Sequence, residues 1–188
     1  MKQLFLILTL LFSLHVSAQL TKRQALDTLI WNTVQPLTKE DFQSKRSMYG
    51  REIPAYTSSA IYLYQKEDNG QLNFYVEAIF LKSKSYMAKE SVYILKHEQI
   101  HFDITELYAR KLRQLIAQKD FTKVKNVVSE IDRMYKRMAS EWQKEENKYD
   151  SETQHGINGA RQNIWNDNIA AQLKKLEAFA APDVSMVK

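Results

Sequence analysis

The sequence predicts an α+β fold, in which a β-hairpin or small antiparallel sheet is followed by a long helix, an antiparallel partner helix and a C-terminal helix. Three observations carry this reading. Two runs rich in β-formers flank Asp68-Asn69-Gly70. Beyond about residue 89 the apolar residues recur at three- and four-residue steps instead of alternating. Helix breakers are also scarce. The 188 residues contain 4 Gly and 3 Pro, with no proline between 55 and 181 and no glycine between 71 and 155, and long helices require that absence.

The chain opens with an address. Lys2 supplies a positive start, Leu4 to Leu14 form an apolar run broken only by Thr9 and Ser13, and Val16-Ser17-Ala18 places small residues at a cleavage point. This is the pattern of a secretory signal peptide over residues 1–18, and the run is far shorter than the ~20 residues a membrane span needs. No other stretch is long and apolar enough to span, so no membrane span is expected. The protein is expected to be exported, to the periplasm or the extracellular space. One domain is expected over 19–181, because 44% hydrophobic and 26% charged residues are ordinary globular proportions. Residues 182–188 are expected to form a disordered tail.

Composition excludes several functions. Cysteine is absent, which removes a disulfide scaffold, thiolate zinc fingers, iron–sulfur clusters and a cysteine nucleophile. The net charge of +5 comes from interleaved ions, as in Lys144-Glu145-Glu146-Asn147-Lys148. That is a solvated mixed-charge surface, and no RNA or DNA motif accompanies it, so no nucleic-acid partner is expected.

The elements follow in order. Leu26 to Val34, with Trp31, is mixed in polarity. In Leu37-Thr38-Lys39-Glu40-Asp41-Phe42, Thr38 can cap a helical turn with Asp41 as its capping-box acid. Residues 43–54 read as a loop. Thr57 to Gln65 and Leu72 to Leu81 are the two strands of the hairpin. The first helix spans Ser91 to Gln118. The second runs from about Thr122 to Tyr149 on the stripe Val124, Val127, Ile131, Met134, Met138 and Trp142. The short link Lys119-Asp120-Phe121 makes the two antiparallel. Residues 150–156 read as a polar loop, and the third helix runs from about Ile157 to Phe179.

One motif carries chemistry. His97-Glu98-Gln99-Ile100-His101 matches H-E-x-x-H inside a predicted helix, the context the motif demands. By chance it arises in about one in 200 chains of this composition. Histidines four apart project from one helix face and can clamp a single Zn²⁺, with Glu98 beside the metal as general base for a water nucleophile. The pattern does not extend to H-E-x-x-H-x-x-G-x-x-H, because Ile104 and Leu107 occupy the later positions.

Catalytic zinc needs a third protein ligand, and two candidates stand. His155 is the last histidine once His15 is removed with the signal. Glu145 lies level with His97 if the hairpin folds about residue 120, and it continues the stripe three residues after Trp142. Asp150 can orient a ligand histidine from behind it, or cap a helix. Tyr149 can donate to a tetrahedral oxyanion, or simply pack. In zincin-like enzymes a strand beside the active-site helix pairs with extended substrate, and Leu72 to Leu81 is the candidate for that role.

From about Trp31 to Trp165 the sequence resembles a bacterial family of secreted proteins, domain of unknown function 922, often described as secreted zinc-dependent proteases. The matching pieces are Trp31, Leu37-Thr38-x-x-Asp41-Phe42, Thr57, His97 to Ile104, Glu106, Tyr108-Ala109-Arg110, Leu112, Tyr149-Asp150-x-x-Thr153-x-His155-Gly156, Gln162 and Trp165. The resemblance implies that Asp150 to Gly156 belongs to the site, and hence that His155 is the third ligand. The expectation is therefore a zincin-like metallopeptidase acting on a peptide or protein. Zn²⁺ would be held by His97, His101 and His155, with Glu98 as the catalytic base. The alternative is an exported, non-catalytic helical module that binds a metal or a partner.

Overall fold

The computed structural model describes residues 27–45, 53–68, 71–88 and 91–184. The expected signal peptide, residues 1–18, and the Asn69-Gly70 turn lie outside them. In chain order the elements are β1 (Thr28–Ile30), β2 (Ala55–Tyr56), β3 (Ser59–Asp68), β4 (Gln71–Leu81), β5 (Tyr86–Met87), α1 (Val92–Ala117), α2 (Val127–Thr153), α3 (Gly159–Lys175) and β6 (Asp183–Val184). Antiparallel sheets are followed by three helices, so the α+β layout is the observed one. Among the described residues no helix is long and apolar enough to cross a membrane.

β3 and β4 form the expected antiparallel hairpin, in register from Ser59↔Phe80 to Asp68↔Gln71. The first strand starts two residues later than the sequence suggested. Thr57 is turned towards α1, where its hydroxyl donates to the Glu98 carbonyl (3.2 Å), and the Ser58 amide donates to Ser85 Oγ (2.9 Å). β1 covers the other edge of β4 at Ile79–Leu81, and β6 covers it at Phe74 and Tyr75. β4 is thus an interior strand. From Phe74 to Leu81 this strand offers no free edge to a substrate strand, because β3 pairs one side and β6 and β1 take up most of the other. A separate two-stranded ribbon pairs β2 with β5.

Alternation puts Phe74, Val76, Ala78 and Phe80 on one face of β4, at 3% exposure or less, and α1 lies on that face. α1 also packs on α2 and α3. It is therefore buried nearly all round, with Ile104, Leu107, Leu112 and Ile116 fully enclosed. On the side facing the C-terminus, Glu106 accepts from Arg110 Nε (2.9 Å) and Arg113 Nη2 (2.8 Å). Arg110 Nη1 donates on to the Leu173 carbonyl (2.9 Å), and Arg113 Nη1 to Ala180 O (2.8 Å). These bonds hold the end of α3 and the residues beyond it against α1. Val184, 7% exposed, is part of the core. The tail expected to be disordered from Pro182 is therefore ordered through Val184, because a strand pairing and a buried valine fix it.

The helix ends differ from the sequence reading for local reasons. Ser91 caps α1, accepting from the Ile94 amide (3.4 Å). α2 starts later because Asp120 accepts from both the amide (2.9 Å) and the hydroxyl of Thr122 (2.6 Å), making a turn there. Asn126 then supplies the cap to Ser129 N (2.9 Å). α2 also continues to Thr153, so Asp150 stands on a helix and not in a loop. α3 is capped by Asn158, which accepts from Arg161 N (3.2 Å), and it ends at Lys175 with a single 3₁₀ turn at Glu177–Phe179. The Thr38 turn forms as a 3₁₀ helix, with Asp41 accepting from the Thr38 amide (2.9 Å).

Phe80 is fully buried and touches both Phe42 (ring centroids 5.2 Å apart) and Phe102 (5.7 Å), so it joins the sheet to the N-terminal segment and to α1. Phe80→Ala is expected to lower stability by about 3–5 kcal/mol, read as a shift of the urea midpoint without a change in m. A shift under a third of that would mean the site collapses around the loss.

Candidate metal centre

The H-E-x-x-H residues lie in the second and third turns of α1, facing α2. The ring centroids of His97 and His101 are 4.9 Å apart. Each ring is held at Nδ1, His97 from α3 and α2 and His101 from α2. His97 Nδ1 donates to Gln162 Oε1 on α3 (2.9 Å), and the Tyr149 hydroxyl sits 2.8 Å from the same nitrogen. Tyr149 donates in turn to Gln162 Oε1 (2.8 Å). The amide orientation of Gln162 is set by its Nε2, which donates to Asn166 (2.9 Å). On the other ring, His101 Nδ1 donates to the Glu146 carboxylate, which also accepts from Trp142 Nε1 (2.9 Å).

With the Nδ1 positions engaged by acceptors, a neutral imidazole carries its proton there and presents Nε2 as a lone pair. Both Nε2 atoms face one oxygen, Asp150 Oδ1, at 3.3 Å from His97 and 3.1 Å from His101. Three acceptors pointed at one another repel unless a cation sits among them. Ligands bound at ~2.0–2.1 Å in a tetrahedron are about 3.3 Å apart, so the spacing fits. His97, His101 and Asp150 form a group that can hold a metal ion, with all three ligand atoms within 4.8 Å of one another.

The electrostatics agree that this spot favours positive charge. Burial works to lower the His101 pKa, but Glu146 and Asp150 overcome it and hold the pKa well above the ordinary value. Burial likewise works to raise Asp150, and the two histidines outweigh it and keep its carboxyl below the usual range. A proton on the imidazole serves this spot in the absence of a cation. Tyr149 is pushed up by burial and stays a neutral donor.

Glu98 points into the same cleft and is 4% exposed. Its Oε2 is buried and has no hydrogen-bond partner. Burial pushes its carboxyl above the ordinary value, opposed by the nearby His101. The cleft encloses about 930 Å³ between β2, the first turns of α1, and the turn after α2.

That turn has three successive left-handed residues, Gln154 (φ 52°), His155 (φ 52°) and Gly156 (φ 82°). A Cβ at Gly156 would lie 3.1 Å from His97 Cγ, so only glycine lets the backbone lie against that ring.

Of the residues expected at the site, His97, Glu98, His101 and Asp150 meet there. His155 lines the cleft, but its side chain is 79% exposed, with Nδ1 3.4 Å from Asp150 Oδ2. It stands outside the three-residue group. Glu145 does not approach the histidines, and its charge acts on Tyr108 and Lys111. The reason is register. The contacts Trp142–Thr105, Glu146–His101 and Asp150–His97 place the fold of the hairpin near residue 123, because α2 begins at Val127. The residue opposite His97 is then Asp150. Glu145 is turned about 100° from Glu146, its neighbour on the helix. Tyr149 is fully buried behind His97 and lies outside the cleft lining, with its hydroxyl turned to the His97 ring and not to the cleft.

Sequence reasoning gave no role to Glu146 or Gln162. Glu146 had a signal, the four-residue steps from Trp142 through Glu146 to Asp150. Gln162 stood among the residues that carry the family resemblance, but nothing within its own helix pointed to His97.

Residues 84–156 match the family described as a bacterial protein of unknown function (DUF922). The matched stretch covers α1, α2 and the glycine against His97, and it contains the whole metal group. Neither a curated protein nor a solved structure matches the chain.

Residues that orient ligand histidines typically change metal affinity 10–100-fold. Glu146→Gln and Gln162→Leu are each expected to weaken Zn²⁺ binding by about that factor, measured by competition with a chromogenic chelator, with helical circular dichroism retained. Gly156→Ala is expected to weaken it too, through the clash with His97 and the strained φ. An affinity equal to wild type in all three variants would show that the Nδ1 contacts do not tune the site.

Proposed function

We propose that this chain is an exported zinc-dependent metallopeptidase, with Zn²⁺ held by His97, His101 and Asp150 and with Glu98 as the general base. One observation carries the reading. An unpartnered, buried carboxylate oxygen of Glu98 shares a cleft with three converging metal-binding atoms. Two imidazole nitrogens and one carboxylate oxygen, with an open side towards a cleft, are a donor set suited to catalytic zinc. When bound, Zn²⁺ lowers the pKa of a coordinated water towards ~7 and polarises a carbonyl.

Glu98 then has two tasks. Its unpartnered oxygen takes a proton from the attacking water, and the same carboxyl returns it to the leaving amine. A raised carboxyl pKa suits that exchange, since it brings the base nearer the operating pH. A peptide substrate is supported by the edge of β2. The Pro54 carbonyl accepts from Ala88 N (2.9 Å), and Ala55 pairs opposite Met87. By the alternation of an antiparallel ladder, the Ala55 N–H and C=O point away from β5. Ala55 and Thr57 line the cleft, and the Thr57 hydroxyl fastens this strand to the Glu98 carbonyl (3.2 Å). Export rests on Lys2 and the apolar run Leu4 to Leu14.

A second reading keeps the peptidase but exchanges the third ligand. His155 lines the same cleft within 3.4 Å of Asp150, and in this reading it binds the metal while Asp150 orients it.

Three measurements test these points. The purified mature protein should bind close to one equivalent of zinc, and peptide cleavage should stop with a chelator and return with Zn²⁺. Zinc bound without any turnover would leave the non-catalytic module. Glu98→Gln should keep the zinc and reduce kcat by about 10²–10⁴-fold; undiminished cleavage would remove Glu98 from the mechanism. Asp150→Asn should lose zinc while His155→Ala retains it, and the reverse result would assign the third position to His155.

A further inference from the structure

We infer that the cleft recognises its peptide through a bulky apolar side chain held between Ile157 and the Tyr93–Ile94 wall, and that it rejects a charged side chain at that position. The inference rests on the peptidase reading of the same cleft, and it adds the class of substrate.

The charge distribution is the first argument. Every ionising acid or imidazole that lines the cleft belongs to its metal end: His97, Glu98, His101, Asp150 and His155. Among the described residues, the remaining wall, from Ile53 to Thr57 on one side and through Tyr93, Ile94 and Ile157 on the other, holds no Lys, Arg, Asp or Glu. This is unusual on a chain in which 26% of residues are charged. A charged side chain entering that wall loses its hydration and finds no counter-ion among its described residues, whereas an apolar one gains burial.

Ile157 is the second argument. It is 81% exposed, so the fold leaves its side chain uncovered, yet its backbone is held in place. The preceding Gly156 lies against the His97 ring, and the turn is closed by His155 N donating to Asp150 O and Asn158 N to Thr153 O, both at 2.8 Å. Tyr93, 42% exposed, approaches from α1, and its hydroxyl lies 3.6 Å from where a Gly159 Cβ would be. An exposed apolar pair on a rigid frame at the mouth of a polar site marks a surface meant to be covered. The backbone groups of Ala55 on the opposite wall point to an extended peptide as the cover.

The test uses the full chain carrying Glu98→Gln, with added Zn²⁺, and fluorescein-labelled Gly-Ser heptapeptides with Leu, Asp or Lys at the centre. By fluorescence polarisation the Leu peptide should bind about tenfold or more tightly than the Asp and Lys peptides. Adding Ile157→Asp should remove most of that preference, and Ile157→Leu should keep it. Equal binding of the three peptides, no binding of any, or a preference untouched by Ile157→Asp would overturn the inference. Cleavage by the wild-type chain separates this inference from the reading beneath it. Cleavage without preference keeps the peptidase and removes the apolar selection. Selective binding without cleavage keeps the recognition surface and removes the peptidase.

Discussion

Everything at the cleft depends on where two protons sit. His97 gives its Nδ1 proton to Gln162 on α3, and His101 gives its Nδ1 proton to Glu146 on α2. With a proton at each Nδ1, a neutral imidazole presents Nε2 to Asp150 as a lone pair, which makes a cation site, whereas a second proton on His101 makes the same approach a hydrogen bond. The ligands of α1 cannot achieve this alone. A histidine on a free helix turns about its side-chain bonds and presents either nitrogen. The site therefore requires α2 and α3 to be locked in register against α1, since an error of one residue turns a side chain by about 100°. Trp142 helps to fix that register, because its indole N–H reaches both Thr105 on α1 (3.2 Å) and Glu146 on its own helix (2.9 Å).

The lock is built from polar groups in a buried place, which is costly unless every group finds a partner. Most do. Tyr149 satisfies Gln162, Gln162 satisfies Asn166, and Thr153 returns its hydroxyl to the Tyr149 carbonyl (2.7 Å). The exception in this cluster is Glu98 Oε2, the atom to which the proposed function assigns the general base. The apolar side of α1 provides the stability that such a site draws on. There β4 contributes four alternating buried side chains, and the same strand is closed on both edges. Beside the site, β2 turns the Ala55 backbone groups away from β5.

Much of this was legible in the sequence because it depends on local pattern. The hairpin follows from alternation around Asp68-Asn69-Gly70, α1 and α2 from their period and their lack of breakers, and His97, Glu98 and His101 from fixed spacing on one helix face. What was not legible depends on how far one helix slides along another. Asp120 and Asn126 move the start of α2 to Val127, and that shift carries Asp150 to the place Glu145 was expected to fill. It also lengthens α2 through Thr153, so a residue read as part of a loop stands on a helix. His155 looked like a ligand because the chain has few histidines and a glycine follows it. The glycine has its own reason, contact with His97, and the left-handed turn that it completes sets His155 at the rim. Gln162 left no local signature, because a glutamine on a polar helix face reads the same whether or not a histidine lies opposite.

The site also ties metal binding to the packing of the helices. Three carboxylates, Glu98, Glu146 and Asp150, converge on two imidazoles, and the Asp150 charge already opposes ionisation of Glu98. Without a cation or an extra proton among them, that cluster pushes α1 and α2 apart. With a cation, the same charges draw the helices together, and the ligand atoms come from both. A state in which α2 has slipped or α1 has frayed offers no such set, so a cation that binds the assembled site stabilises the assembled fold by mass action. The turn at Gly156 belongs to the same unit, because it closes on Asp150 and Thr153 at the end of α2 while resting on His97 of α1. The geometry that gathers the metal-binding group and the geometry that holds the helical layer together are thus one set of contacts. In such an arrangement a metal ligand cannot be lost without loosening the wall of the cleft beside it.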